Sequence, residues 1–393
     1  MKMKQAGLTA LLLAPASLLA AEADTARRID ALEVELDSLR NELREQVEAA
    51  GEWKHPDSLV HLAGYASVGY ASTDQDDGSF SAGGFSPIFH FQYRDLVMLE
   101  SELEVELSPE GETEVNLEYL TVDFFPTDNV AIVAGRFLSP VGQFRQNLHP
   151  SWINRLPSAP PGFGHDGAAP VSETGLQARG GVDLGAGKLN YAVYIGNGPE
   201  LNAVDEDGEV ELEGIEAEGF GADRDGNKVV GGRLGFIPRV GLEIGLSAAT
   251  GKAAVTALVD EAAGTRMDVD ADPAHDYDVL GADFAWQWNN AELRGEYVQS
   301  KIGSNPASIA VDGATWSTWY LQGAYRFAPT RWEGVLRYGD FDSPHPTGSG
   351  TQWAIGANYR FAANIVAKLA WEANDGGVQG GQDRILVQLA YGF

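Results

Sequence analysis

The chain has 393 residues, 27 Lys and Arg against 57 Asp and Glu, a formal charge of −30 and no cysteine. A hydrophobic content of 44% supports a sizeable core and excludes wholesale disorder. The missing cysteines exclude a disulfide framework, a thiolate zinc site and a cysteine nucleophile, and the acid excess leaves no broad basic face for a nucleic acid.

Lys2 and Lys4 precede an apolar run from Ala6 to Ala21, interrupted by Pro15, and Ala21-Glu22-Ala23 has the form of a processing site. The run is too short to span a bilayer as a helix, so 1–23 reads as a secretory signal peptide. From Asp24 the spacing becomes heptad: Ile29, Leu36 and Leu43 share one repeat position, Leu32 and Leu39 the other, with charged residues between. So narrow a seam needs identical partners, which makes 24–51 a short α-helical coiled coil. Gly51 and His55-Pro56 end it.

The remainder, 52–393, is predicted all-β. Between Val97 and Leu107 the residues Val97, Leu99, Leu103, Val105 and Leu107 alternate with Met98, Glu100, Glu102, Glu104 and Glu106. The same period of two recurs in sixteen spans: 59–73, 85–94, 96–107, 112–125, 130–138, 174–184, 187–197, 227–237, 240–250, 276–289, 291–301, 314–327, 331–339, 350–361, 364–374 and 383–393. Most suit a tilted bilayer crossing. Tight turns such as Arg94-Asp95, Gly185-Ala186, Pro238-Arg239 and Asn289-Asn290 alternate with long loops such as 139–173, 198–226, 251–275 and 302–313. Short turns on one side and long loops on the other are the pattern of a 16-stranded antiparallel transmembrane β-barrel of an outer membrane. Tyr93, Phe124, Phe125, Phe236, Trp288, Phe327, Trp332 and Phe361 crowd the short-turn side, where an interfacial girdle belongs.

A bilayer tolerates strands only in a closed sheet, whose alternate residues then face a lumen. The alternate set is charged: Glu100, Glu102, Glu104 and Glu106 on one strand, Glu292, Arg294 and Glu296 on another, Glu333 and Arg337 on a third. A dry core could not hold these charges, so water fills the bore. Arg326, Arg337, Arg360, Lys368 and Arg384 collect late in the chain. They form either a basic wall opposed to the glutamates, setting a field across the bore, or charges at separate heights that only hydrate it. Segment 139–173 is Pro-rich and nearly neutral, with Arg145 and Arg155 balancing Asp166 and Glu173, and it carries His149 and His165. It is expected to fold inward and narrow the channel. Segment 200–225 has eleven acids against Arg224 and reads as solvated outer surface, bridged by divalent cations to lipopolysaccharide.

Gly135-Arg136-Phe137 running into Pro140-x-Gly142 before the long loop, with sixteen strands and the terminal Phe393, resembles the phosphate-selective porin family of Gram-negative outer membranes over about 59–393. The resemblance implies a homotrimer, since coiled coils like 24–50 occur in trimeric porins, with the helix in the periplasm and the barrel among outer-membrane lipid. Tyr391 and Phe393 look like the signal read by the barrel-assembly machinery. Family members selective for phosphate use lumen arginines, a pattern that Arg136, Arg145 and Arg155 match, together with lysines in the narrow zone. This chain has no lysine between Lys54 and Lys188. A general porin for passive diffusion of ions and small hydrophilic solutes is therefore expected; an anion- or phosphate-selective porin and a structural tether acting through the coiled coil are the alternatives.

No enzyme chemistry is legible. Gly162-Phe163-Gly164-His165-Asp166-Gly167 has the form GxGxxG but follows Pro160-Pro161 instead of a strand, and neither HExxH nor GxSxG occurs. Asp268-x-Asp270-x-Asp272 meets Pro273 where a calcium loop needs glycine. No cofactor and no metal are expected.

Overall fold

Alternating side chains that face lipid on one side and water on the other lock each strand into one register, because a slip of one residue would invert both faces. In the computed structural model sixteen such strands follow one another: β1 (Ser58–Thr73), β2 (Gly84–Tyr93), β3 (Val97–Leu107), β4 (Thr113–Thr127), β5 (Val130–Leu138), β6 (Ser172–Leu184), β7 (Gly187–Gly196) and β8 (Val229–Arg239). Then come β9 (Leu242–Ala253), β10 (His275–Trp288), β11 (Ala291–Ile302), β12 (Ala314–Arg326), β13 (Trp332–Asp342), β14 (Gly350–Arg360), β15 (Ile365–Gly376) and β16 (Arg384–Gly392). The structure describes residues 57–393 apart from 76, 109–110, 166, 207, 217–222, 261–264, 271 and 345–347. The predicted signal peptide, 1–23, and coiled coil, 24–51, lie outside the described residues.

Each strand pairs antiparallel with the next, and β16 pairs with β1 from Tyr65↔Gly392 to Thr73↔Arg384, so the sheet closes. Gly64 and Phe393 seal the seam by donating to one another's carbonyls at 3.0 and 2.9 Å. Closure leaves no unpaired strand edge for lipid to meet.

The outward face is apolar: Leu234, Leu246, Leu280, Ile355 and Leu369 are all exposed, whereas Arg337, Glu372, Gln352 and Asn358 on alternate positions are buried within the barrel. At the short-turn end Trp286 stacks on Trp288, and Tyr325–Phe327, Trp332–Tyr359 and Tyr359–Phe361 meet edge to face. A second belt, Trp319–Tyr338–Trp353, lies nearer the long loops. Trp319 and Phe327 are separated by about 26 Å of extended chain, the right order for a tilted crossing of an apolar band roughly 25 Å tall. Phe125, expected in the girdle, instead lines a cavity within the bore. Its parity is that of the buried Thr121 and Asp123, not of the exposed Val122 and Phe124.

The acid-rich loops are more than solvated surface. Leu201–Glu206 and Val255–Asp260 pair in parallel, flanked by Glu209–Ile215 and Thr265–Asp268, to make a four-stranded sheet. Leu201, Ala203, Leu212, Ile215 and Val255 join Phe137, Tyr194 and Tyr277 in one buried cluster, so the acids ride on a sheet with an apolar underside.

Candidate functional site

Residues 139–171, here L3, leave β5 and return to β6 through a neck in which Ser139 N–H donates to the Val171 carbonyl at 2.9 Å. Between those points L3 crosses the bore, as its composition led us to expect. It is held by an apolar core and by polar anchors. Phe144, in the helical turn Phe144–Leu148, meets Phe163 and the wall residue Tyr320 edge to face at 6.1 and 6.4 Å.

The anchors use wall charges. Glu296 of β11 accepts the Gln143 and Phe144 N–H groups at 3.0 and 3.1 Å. Gly142 has φ +75°, and a Cβ there would overlap the Glu296 carboxylate, which explains the glycine in the Pro140-x-Gly142 element. Arg155 places one nitrogen on Glu333 of β13 and another on Glu292 of β11, each at 2.7 Å. Burial would lower the Arg155 pKa, but the carboxylates of Glu292 and Glu333 outweigh it and the net direction is upward. Arg337 donates to the Ser158 and Ala159 carbonyls at 3.0 and 3.1 Å, Lys368 to the Ser151 and Leu156 carbonyls, and Asn358 to the Arg155 carbonyl at 2.8 Å.

The basic residues predicted to line the bore therefore divide. Arg337 is 0% exposed and Lys368 2%; both are covered by L3 and serve as its anchors. Arg294 is buried against Glu292 at 2.8 Å. Arg326 is half exposed near the short turns, 3.9 Å from Glu333. Arg360 contacts Glu333 at 3.4 Å, and Arg384 contacts Glu372 at 2.6 Å beside a cavity of about 370 Å³ that His165 and Gln352 share. On the short-turn side of L3 a cavity of about 710 Å³ is lined by Gln143, Gln146 and Asn147 of L3 and by Arg179, Arg233, Glu243 and Gln287 of the wall. Arg145 sits in the helical turn of L3.

Arg136 is a correction. The ladder sets it opposite Leu120 and Thr174, on the face that Leu120 and Leu176 turn outward. Val133 and Phe137, both buried, hold the inward positions of β5. Residues directly opposite in an antiparallel pair share a face, so Arg136 does not line the bore.

The late basic residues do not face the acid wall as one wall but spread along an arc, from β12, seven strands from β3, to β16. Because β16 pairs with β1, the glutamate strand β3 is three strands from β16, and β12–β16 occupy the arc leading up to it. The strand across from β3 in a ring of sixteen is β11, which carries Glu292, Arg294 and Glu296.

The acid wall has a partner the sequence did not announce. His90 lies 3.4 Å from Glu100, His149 3.6 Å from Glu102 and His165 3.8 Å from Glu104, so the first three lumen carboxylates of β3 each have an imidazole beside them. Two of those histidines come from L3. The His149 Nδ1–H donates to the Arg145 carbonyl, which turns Nε2 to the wall. Tyr65 donates to Glu102 at 2.7 Å and Tyr119 to Glu100 at 3.1 Å. Glu106 stands apart, exposed and across from Glu114 near the long loops. Among the described residues no Lys or Arg forms an ion pair with Glu100, Glu102, Glu104 or Glu106. On the rest of the wall Arg179 pairs with Asp123 at 2.6 Å and Arg233 with Asp283 and Glu243 at 2.7 and 3.0 Å. The sequence reading missed Arg179 and Arg233; their strand parity alone was the available signal.

No family model matches the sequence, and no curated protein matches it. Solved structures match over most of the chain. A loop-deletion form of OmpT, an outer membrane protein of Vibrio cholerae, is 12% identical and aligns 86% of this chain with 100% of its own at a TM-score of 0.57. An anion-selective porin from Comamonas acidovorans is 15% identical over 86% of this chain and 100% of its own, TM-score 0.54. The outer membrane channel DcaP of Acinetobacter baumannii is 12% identical over 86% and 99%, TM-score 0.52. At these identities the likeness is one of architecture: the chain has the fold of the outer-membrane porin barrels.

Proposed function

We propose that the protein is an outer-membrane channel for passive diffusion of ions and small hydrophilic solutes, with a preference for cations. One observation carries this reading: a closed sixteen-stranded sheet, apolar outside and charged within, crossed by an inward loop that leaves polar cavities on both of its faces. Sixteen strands enclose more space than wall side chains fill, so the remainder is water. Cation preference follows from pairing. Most wall arginines face a carboxylate within ion-pair distance, whereas the carboxylates of β3 meet only histidine and tyrosine. Glu102 is covered, but Glu100 and Glu104, with side chains 22% and 23% exposed, put acidic charge in a narrow aqueous path, where it concentrates cations.

Phosphate selectivity has little support, because Arg136 faces outward and Arg155 is spent on two glutamates. A homotrimer remains our reading; one of the structural neighbours, OmpT of Vibrio cholerae, is described in a trimer form. Lipopolysaccharide contact and recognition of Tyr391 and Phe393 by the barrel-assembly machinery belong to the same reading, as does the absence of enzymatic activity.

Purified, heat-modifiable protein in a planar bilayer should give stepwise ohmic conductance, and a KCl gradient should give a reversal potential of cation-selective sign. Folded protein that leaves the bilayer silent refutes the channel; an anion-selective sign refutes the role of the acid wall.

A further inference from the structure

The acid wall contains a group that ion permeation does not explain. In β4 the pairing with β3 shifts register, so that Glu102 faces Tyr119 and Leu103 faces Leu117, and Glu118 is the extra residue. Such a bulge re-aims side chains: Glu118 and Tyr119 both turn inward, 5% and 9% exposed. Tyr119 uses its position to donate to Glu100. Among the described residues Glu118 has no Lys or Arg as an ion-pair partner, and its carboxylate lies beside that of Glu104. Two carboxylates held this close in a largely enclosed place repel one another, and a cation between them offsets that repulsion.

The loop supplies the third group. His165 of L3 sits with Nε2 3.8 Å from Glu104 Oε2, and one ligand atom each from Glu104, Glu118 and His165 lie within 4.8 Å of one another. Two carboxylate oxygens with one imidazole nitrogen suit a borderline divalent transition ion, whereas calcium or magnesium would call for oxygen alone. Tetrahedral zinc, at about 2.0–2.2 Å from each ligand, sets them about 3.3 Å apart. The three groups thus need to close by roughly an ångström, a movement within reach of side-chain torsions.

We propose that Glu104, Glu118 and His165 bind a divalent transition-metal ion of the zinc class, which ties L3 to the acid wall and throttles the bore. L3 is already anchored to β11 and β13 through Arg155. A metal at its other edge fixes the loop on both sides and neutralises the strip that draws cations in. Its effect on current rests on the channel reading; the site itself does not.

The test separates the two. Untagged full-length protein in detergent, stripped with chelator, is titrated with zinc against a chromophoric competitor. One zinc per chain is expected, with affinity weakened about tenfold or more in His165→Ala and in Glu118→Gln, and unchanged in His90→Ala, which disrupts the neighbouring His61–His90 pair. Heat-modifiable mobility reports folding. Should Glu118→Gln fail to fold, His165→Ala decides alone, since His165 is a loop residue with a partly exposed side chain. Absence of saturable zinc binding, or wild-type affinity in His165→Ala, overturns the site. In bilayers zinc should lower the conductance of the wild type and leave that of His165→Ala unchanged; zinc bound without any change in current overturns the throttle. Bilayers silent before zinc is added refute the channel reading while the competition assay still decides the site.

Discussion

Replacing Arg155 by alanine tests whether L3 is a docked element or merely a loop that rests in the bore. Arg155 makes two charge-assisted bonds at 2.7 Å, and its removal leaves Glu292 and Glu333 with side chains only 6% and 3% exposed. Removing one partner of a buried pair costs about 3–5 kcal/mol. The low end applies here, because Glu292 keeps Arg294 at 2.8 Å and Glu333 keeps Arg360 at 3.4 Å. At about 1.4 kcal/mol per factor of ten, about 3 kcal/mol multiplies the undocked population roughly 150-fold. The Gln143 and Phe144 amides, which donate to Glu296 only when L3 is docked, report that population through hydrogen exchange. Their exchange should accelerate by about that factor while the β13–β14 ladder stays protected. Arg155→Lys, which cannot bridge two carboxylates, should fall between the two. Acceleration of less than about threefold in Arg155→Ala would show that Arg155 does not dock L3 and that its other anchors hold it.

Glu102→Gln with Glu104→Gln should move the reversal potential in a salt gradient toward anions; an unchanged potential would mean that the permeating ions avoid β3. Arg136→Ala should leave that potential where it was, since its side chain is on the outward face, and a shift comparable to that of the glutamate pair would put it back in the bore. Deleting Phe393 removes both seam hydrogen bonds with Gly64 and the stack on Phe85 at 6.1 Å. It should reduce the heat-modifiable fraction after refolding, and full recovery would assign Phe393 no part in closure.

The barrel was legible because lipid imposes one demand along the whole outer surface. Strand after strand must show apolar residues at every second position, and each predicted span agrees with the structure to within about three residues at either end. The same signal failed where the inner face is apolar too. On β5 the inward Val133 and Phe137 pack under L3 and the loop sheet, so hydrophobicity no longer marks the side that meets lipid and Arg136 was given the wrong face. The bulge at Glu118 was hidden for a related reason. Counting by twos assumes an unbroken ladder, and the extra residue appears only when Leu117 and Tyr119 are both seen to have partners. Leu201–Glu206 and Glu209–Ile215 escaped notice because short strands carrying alternate acids look like solvated loop until their parallel partner, Val255–Asp260, is placed beside them.

Face was readable for most lumen charges, but role was not, and the difference lies in L3. Strand parity puts Arg337, Lys368 and Glu104 alike inside the barrel. What separates them is the course of 33 intervening loop residues, 139–171, whose backbone carbonyls take Arg337 and Lys368 out of the water while its His165 reaches Glu104 and leaves it part-exposed. A buried arginine that donates to peptide carbonyls holds the loop in place and contributes a screened charge to the path. A part-exposed carboxylate whose basic neighbour is an imidazole keeps most of its field. Two residue sets with equal claims in the sequence thus become scaffold and filter respectively. The electrostatics of this bore are decided less by which charges point inward than by which of them the loop covers.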